Sequence, residues 1–134
     1  MTAQVKWLEN STFVGESESG HSIIMSSNTE KSPSPMELVL LGLGGCSSID
    51  VVSMLKKGKA DIRSCVVKLD AQRADTIPKV FTKIKLNFVV TGKGLKASAV
   101  GRAVSLSAEK YCSISMMLGK SVDISHAYEI IALE

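Results

Sequence analysis

The stretch SPMELVLLGLGGCSSIDVVSMLKKG, residues 34–58, constrains this chain more than any other. Its opening carries a helix start. Ser34 sits at the N-cap, Pro35 at the first helical position where a missing N–H is harmless, and Glu37 where it closes a capping box. Lys56 and Lys57 fall in the last turn, where the helix dipole favours cations, and Gly58 offers a left-handed cap residue. The spacing predicts one helix from Pro35 to Lys57. Gly42, Gly44 and Gly45 lie inside it. Each is unfavourable by up to about 1 kcal/mol relative to alanine, so a packing reason is required, and close approach of another backbone is the usual one. Since its first half is apolar nearly all round, the helix is expected to be central and covered on both sides, by a sheet or by a second copy of the chain. Its most apolar run, Met36 to Cys46, falls short of the roughly twenty residues that span a bilayer. A buried helix, not a membrane anchor, is therefore expected.

Strand-like segments flank this helix. Ala3 to Leu8 and Thr12 to Glu16 alternate and are broken by Glu9-Asn10-Ser11, a hairpin pattern, and His21 to Met25 adds a third short strand. Ser26 to Pro35 has the composition of one ordered surface loop. Beyond the helix, Ile62 to Asp70 and Val80 to Thr91 read as paired strands. Leu95 to Tyr111 carries apolar residues at helical spacing, Ser113 to Gly119 fits a short helix, and Asp123 to Leu133 returns to alternation. The order is βββαββααβ, an α+β arrangement with antiparallel sheets, and with 134 residues and no linker the whole of 1–134 is expected to be a single domain.

The net charge of +3 is modest and its cations are scattered, which argues against nucleic acid as a partner. No charged-then-apolar leader precedes the first strand, and three cysteines make an odd set, so a reducing cytoplasm with no disulfide framework is expected. The Cys and His residues have no metal-ligand spacing, so no metal is expected. His21 and His126 stand singly in strand-like stretches, where a structural or surface role is the ordinary one.

Two cysteines occupy positions where chemistry is feasible. Cys46, flanked by Gly44, Gly45, Ser47 and Ser48, has a sulfur uncrowded by its neighbours. Cys112 lies at a break between helices, where a helix start would lower a thiol pKa. Either is equally readable as a small buried hydrophobe, and Cys65, on an alternating strand, is read as filler.

With Pro35 and Cys46 on one helix and Cys112 at a later helix break, the segments SPMELVLLGLGGCSSIDVV and LSAEKYCSIS resemble the OsmC/Ohr family of thiol peroxidases, and the likeness covers nearly the whole chain. The resemblance implies antiparallel sheets wrapped around a long central helix, in an intertwined homodimer with sites at the interface. It implies a cytoplasmic enzyme of the oxidative stress response that reduces organic hydroperoxides, with no bound cofactor and an external dithiol as reductant. Cys46 would be the peroxidatic thiol and Cys112 the resolving one. Leu40, Leu41, Leu43, Met116 and Met117 could line an apolar pocket for the substrate. Two positions depart from the family pattern. Family peroxidases carry a glutamate directly after the proline, paired with an arginine from an N-terminal loop. Here Met36 follows Pro35, Glu37 is displaced by about 100° around the helix, and residues 1–35 contain no arginine. Glu37 and His21 are the candidate supporting residues, His21 as a pH-dependent substitute for the arginine. In addition, Ser113 follows Cys112 where the family commonly has proline. The alternative on the same fold is a non-catalytic ligand-binding or redox-sensing protein.

Overall fold

A computed structural model describes residues 1–134. Strands β1 (Ala3–Glu9), β2 (Thr12–Ser17) and β3 (Ser22–Ser26) precede helix α1 (Pro35–Lys57). Strands β4 (Asp61–Arg73) and β5 (Phe81–Lys93), helices α2 (Ala97–Leu106) and α3 (Ser113–Leu118), and strand β6 (Asp123–Leu133) complete the chain. This is the α+β order that the sequence predicts. The chain forms two compact units, Met1–Leu41 and Gly42–Glu134, with the boundary inside α1.

In the first unit, β1, β2 and β3 form an antiparallel sheet in chain order. Asn10 takes a left-handed conformation, φ 49°, in the β1–β2 turn, which asparagine tolerates better than most residues. The Trp7 indole N–H donates to the Asn10 carbonyl at 2.9 Å and fixes that turn. The Ser26 hydroxyl accepts from the Asn28 N–H at 3.0 Å, anchoring the loop that leads to α1. The helix start is the capping box read from the sequence. The Ser34 N–H donates to Glu37 Oε1 at 2.8 Å and the Glu37 N–H donates to Ser34 Oγ at 3.2 Å. This sheet keeps Val5, Trp7, Leu8, Ile23 and Ile24 exposed.

The second unit holds the main core. Its sheet has the order β4-β5-β6, and central β5 turns Ile84, Leu86, Phe88 and Val90 inward, all fully or almost fully buried. Each such side chain contributes about 1.5–3 kcal/mol relative to being exposed. One pairing differs from the antiparallel sheets expected. β4 runs antiparallel to β5, but β6 runs parallel to it, because the chain returns through α2 and α3, a crossover of the kind that parallel strands need.

On α1 the buried residues of this unit are Leu43, Gly44, Ser47, Val51 and Leu55, one stripe at helical spacing. A Cβ on Gly44 would lie 2.9 Å from Leu69 Cδ1 of β4, and one on Gly42 would lie 3.4 Å from Ile114 Cδ1 of α3. The glycines therefore admit neighbouring side chains, not another backbone, and Gly45 faces open space. Nor is α1 covered on both sides within the single chain, since Ile49 is 71% exposed. Taken whole, at 23 residues, α1 is long and apolar enough to cross a bilayer, which its shorter apolar run is not, but its stripe from Leu43 to Leu55 packs as a core helix does.

Helix α1 ends at Lys57, as expected, but the left-handed residue that follows is not the expected one. The Ala60 N–H donates to the Leu55 carbonyl and the Lys59 N–H to the Lys56 carbonyl, both at 3.0 Å, and the left-handed residue is Lys59, φ 61°, not Gly58. A lysine there carries a steric cost that glycine would not. Lys59→Gly is expected to stabilise the protein by about 0.5–1 kcal/mol, read as a higher midpoint in urea unfolding; a lower midpoint would contradict the assigned cap.

Candidate active site

Cys46 lies on α1 two residues beyond Gly44, and Cys112 lies between α2 and α3, each positioned by local structure. The expected helix from Leu95 to Tyr111 ends as α2 at Leu106 and continues as one wider π turn, Ser107–Tyr111, closed by the Cys112 N–H donating to the Ser107 carbonyl at 2.9 Å. Ser107 is fully buried and tied to α1. Its hydroxyl donates to Asp50 Oδ2 at 3.0 Å and to the Ser47 carbonyl at 3.5 Å. Such π turns occur disproportionately at functional sites. The chain then leaves the helical region at Cys112, φ −76° and ψ 104°, and re-enters it as α3.

Cys112 is the N-cap of α3, its sulfur accepting the Ser115 N–H at 3.4 Å. It is fully buried, and the buried Ser47 hydroxyl donates to the same sulfur at 3.4 Å. Cys46 is partly exposed, and its sulfur lies 3.8 Å from Ser113 Oγ, within hydrogen-bond reach for sulfur. Ser48 takes no part, since its hydroxyl is turned back to the Gly44 carbonyl at 2.6 Å.

These surroundings push the two thiols in opposite directions. Burial acts to raise the Cys46 pKa, but hydrogen bonds from the Ile114 backbone, from Cys112 and from Ser113 together outweigh it, so Cys46 is held below the ordinary thiol range. Burial pushes Cys112 up. The Ser47 hydroxyl and the Ser115 N–H pull the other way, while the neighbouring Cys46 sulfur adds to the rise. The result is an accessible sulfur whose thiolate is favoured beside a buried one whose thiolate is disfavoured. Cys65 is pushed up by burial on β4 and belongs to the core side of the sheet, as its alternation predicts.

The structure thus brings Cys46 and Cys112 together. Glu37 and His21 belong to the first unit and are engaged locally, Glu37 in the capping box and His21 through Nδ1, which lies 3.0 Å from Ser19 Oγ. Of the suggested pocket residues in the second unit, Leu43 is fully buried core and Met117 is exposed. Met116 lines a cleft of about 620 Å³ together with Glu109, Lys120, Asp123 and His126. These three do not line one chamber. His126 stacks near Phe88 with centroids 6.3 Å apart, and burial holds its pKa down. Sequence reasoning passed over Ser47, Ser107, Ser113 and Ser115. The one signal the sequence carries is a serine after Cys46 and after Cys112, though not after Cys65, and that pattern does not reveal which sulfur each serine meets.

A thiol pair presented by an apolar helix and a later helix break, on two three-stranded sheets, defines the class to which comparison with known proteins leads. The family model described as OsmC-like protein matches residues 28–127, and the chain belongs to this family. It is 57% identical over 133 residues to Protein YhfA of Escherichia coli (strain K12), a match covering 98% of this chain and 99% of that protein. Among solved structures it is similar to a hypothetical protein from Aquifex aeolicus VF5, with a TM-score of 0.91 and 28% identity, covering 99% of this chain and 97% of that one. The organic hydroperoxide resistance protein OhrB of Bacillus subtilis shares the fold, with a TM-score of 0.63 at 17% identity, covering 96% of this chain and 98% of that one.

Proposed function

We propose that this chain is a thiol-dependent peroxidase that reduces organic hydroperoxides, with Cys46 as the peroxidatic and Cys112 as the resolving thiol. The observation that carries the proposal is the opposed environment of the two sulfurs, Cys46 partly exposed with hydrogen bonds that favour its thiolate, Cys112 buried where its thiolate is disfavoured. The Cys46 thiolate attacks one oxygen of ROOH. The O–O bond breaks, Cys46 becomes a sulfenic acid, and the alkoxide leaves and takes up a proton as ROH. Cys112 then attacks the sulfenic sulfur, forming an S–S bond and releasing water, and an external dithiol reduces the disulfide at the cost of its own oxidation. All electrons come from thiols, so the cycle requires no bound cofactor. Local hydrogen bonds from Ser113, the Ile114 backbone and Cys112 stand in for the activating arginine missing from residues 1–35. That an organic hydroperoxide resistance protein shares the fold supports the substrate class, and a cycle resting on free thiols suits the cytoplasm.

The working form is a homodimer. Gly45 faces open space on α1 and Ile49 is 71% exposed beside a shallow cavity of about 560 Å³ lined by Ser48, Ile49, Val52 and Lys56, a surface suited to a second helix. The sheet of the first unit likewise leaves Trp7 and Val5 uncovered, 67% and 60% exposed. A second copy supplies the missing cover for both. Sedimentation is expected to give the mass of a dimer, and Ile49→Asp to shift it towards the monomer; a wild-type monomer at micromolar concentration would contradict this assembly.

The activity is tested by stopped-flow oxidation with cumene hydroperoxide and with hydrogen peroxide, followed by peptide mapping. Fast thiol loss, faster with the organic peroxide, is expected to yield a Cys46–Cys112 disulfide, to disappear in Cys46→Ser and to stop at the sulfenic acid in Cys112→Ser. Oxidation no faster than that of a free thiol would leave a binding or redox-sensing protein on this fold.

A further inference from the structure

Each cysteine of the pair is followed in the chain by a serine, and the two serines reach across. Ser47, next to Cys46, donates its hydroxyl hydrogen to Cys112 Sγ at 3.4 Å, while Ser113, next to Cys112, places its Oγ 3.8 Å from Cys46 Sγ. Both ends of the Ser47–Cys112 contact are fully buried, so this hydroxyl is not shared with solvent. Its backbone carbonyl is held as well, by Ser107, whose hydroxyl also meets Asp50. The Ser113 contact lies at the exposed mouth, where the sulfur of Cys46 is reached. Neither serine's hydroxyl has another hydrogen-bond partner.

We propose that Ser113 and Ser47 are catalytic residues of the thiol pair, crossed so that each serves the sulfur on the opposite element and each governs one half of the cycle. Ser113 donates to the Cys46 sulfur and sustains its negative charge for the first attack. Ser47 donates to Cys112 as that thiol gives up its proton and attacks Cys46, stabilising charge that develops only in the second step. The arrangement explains how a site without the family's arginine and glutamate pairing could turn over, since two neutral hydroxyls and backbone groups share the task of one cation. It rests on the two-thiol reading above, but the crossed contacts make a claim of their own that can be tested without peroxide.

Dithiodipyridine separates the two halves. Attack by the Cys46 thiolate breaks the reagent's S–S bond, forms a mixed disulfide and releases one thiopyridone. Attack by Cys112 then forms the protein disulfide and releases the second, with one proton lost from each thiol. In wild type, two kinetic stages are expected. Ser113→Ala should slow the first stage about tenfold, as loss of a hydrogen bond to a charged group does, and Ser113→Thr should restore it. Ser47→Ala should lower the ratio of the second rate to the first about tenfold, and Ser47→Thr, which keeps the hydroxyl, should restore that ratio. Circular dichroism of each reduced variant reports the fold, and if Ser47→Ala does not fold, the comparison of Ser47→Thr with Ser47→Val, which matches its shape without the hydroxyl, replaces it. A Ser47→Ala ratio equal to that of wild type, or a Ser113→Ala first stage equal to that of wild type, would overturn the crossed assignment. If both stages respond as described while cumene hydroperoxide fails to oxidise the protein, the serine roles stand and the peroxidase reading falls.

Discussion

The contact on which the site depends is the close approach of α1 to its neighbours, made where glycine removes the side chain. At Gly44 the Leu69 side chain fills the space that a Cβ would occupy, and at Gly42 the Ile114 side chain comes within ordinary contact of where one would be. Cys46 and Ser47 follow within one turn, where they meet Ser113 and Cys112 at the start of α3. The three glycines disfavour the helix by up to about 1 kcal/mol each. That local cost is offset by the burial of Leu43, Val51 and Leu55 on the same stripe. Only at Gly44 would an added Cβ press on a neighbour, while Gly42 leaves ordinary contact and Gly45 open space. At Gly44 close packing has taken precedence over intrinsic helix preference.

Given that approach, the electrostatics follow from neutral groups. No arginine precedes Pro35, and a bare thiolate in a partly apolar setting would be expensive. The surroundings of Cys46 answer with short-range donors, the Ile114 backbone, the Cys112 thiol and Ser113. Such donors act only on an atom placed within hydrogen-bond reach, so the tuning is local and geometric, unlike the longer reach of a cation. The π turn before Cys112 serves the same end. It hands the chain from a helix tied to α1 through Ser107 directly into an N-cap made by the Cys112 sulfur itself.

Much of this was legible in the sequence. Ser34, Pro35, Glu37, Lys56 and Lys57 mark α1 from end to end because capping and dipole rules act within a single turn, and the alternation from Asp123 to Leu133 marks β6 at both its bounds. Cys46 and Cys112 stood out through resemblance, not through spacing. What remained hidden depends on contacts distant in sequence. Gly58 looks like the natural left-handed residue, yet the helix ends at Lys57 as expected and the left-handed conformation falls on Lys59, where the Ala60 N–H turns back to the Leu55 carbonyl. The parallel pairing of β6 with β5 depends on where the crossover re-enters the sheet, which alternation does not encode. The glycine run announces a close neighbour without saying that Leu69 and Ile114 are that neighbour. The crossed serines likewise need the juxtaposition of α1 with the start of α3 before their partners are visible.

Cys46 is held below the ordinary thiol range and Cys112 above it by hydrogen bonds and burial. The direct test is the rate of iodoacetamide alkylation at each cysteine of the reduced wild-type protein as a function of pH, resolved by peptide mapping. A thiol with a lowered pKa keeps its reactivity as pH falls, until it protonates at that lower value. Alkylation of Cys46 should therefore be half-maximal below the roughly 8.5 of a free peptide thiol, and Cys112 and Cys65 should respond only at higher pH. A Cys46 midpoint at or above that of the free thiol, or earlier labelling of Cys112, would contradict the account.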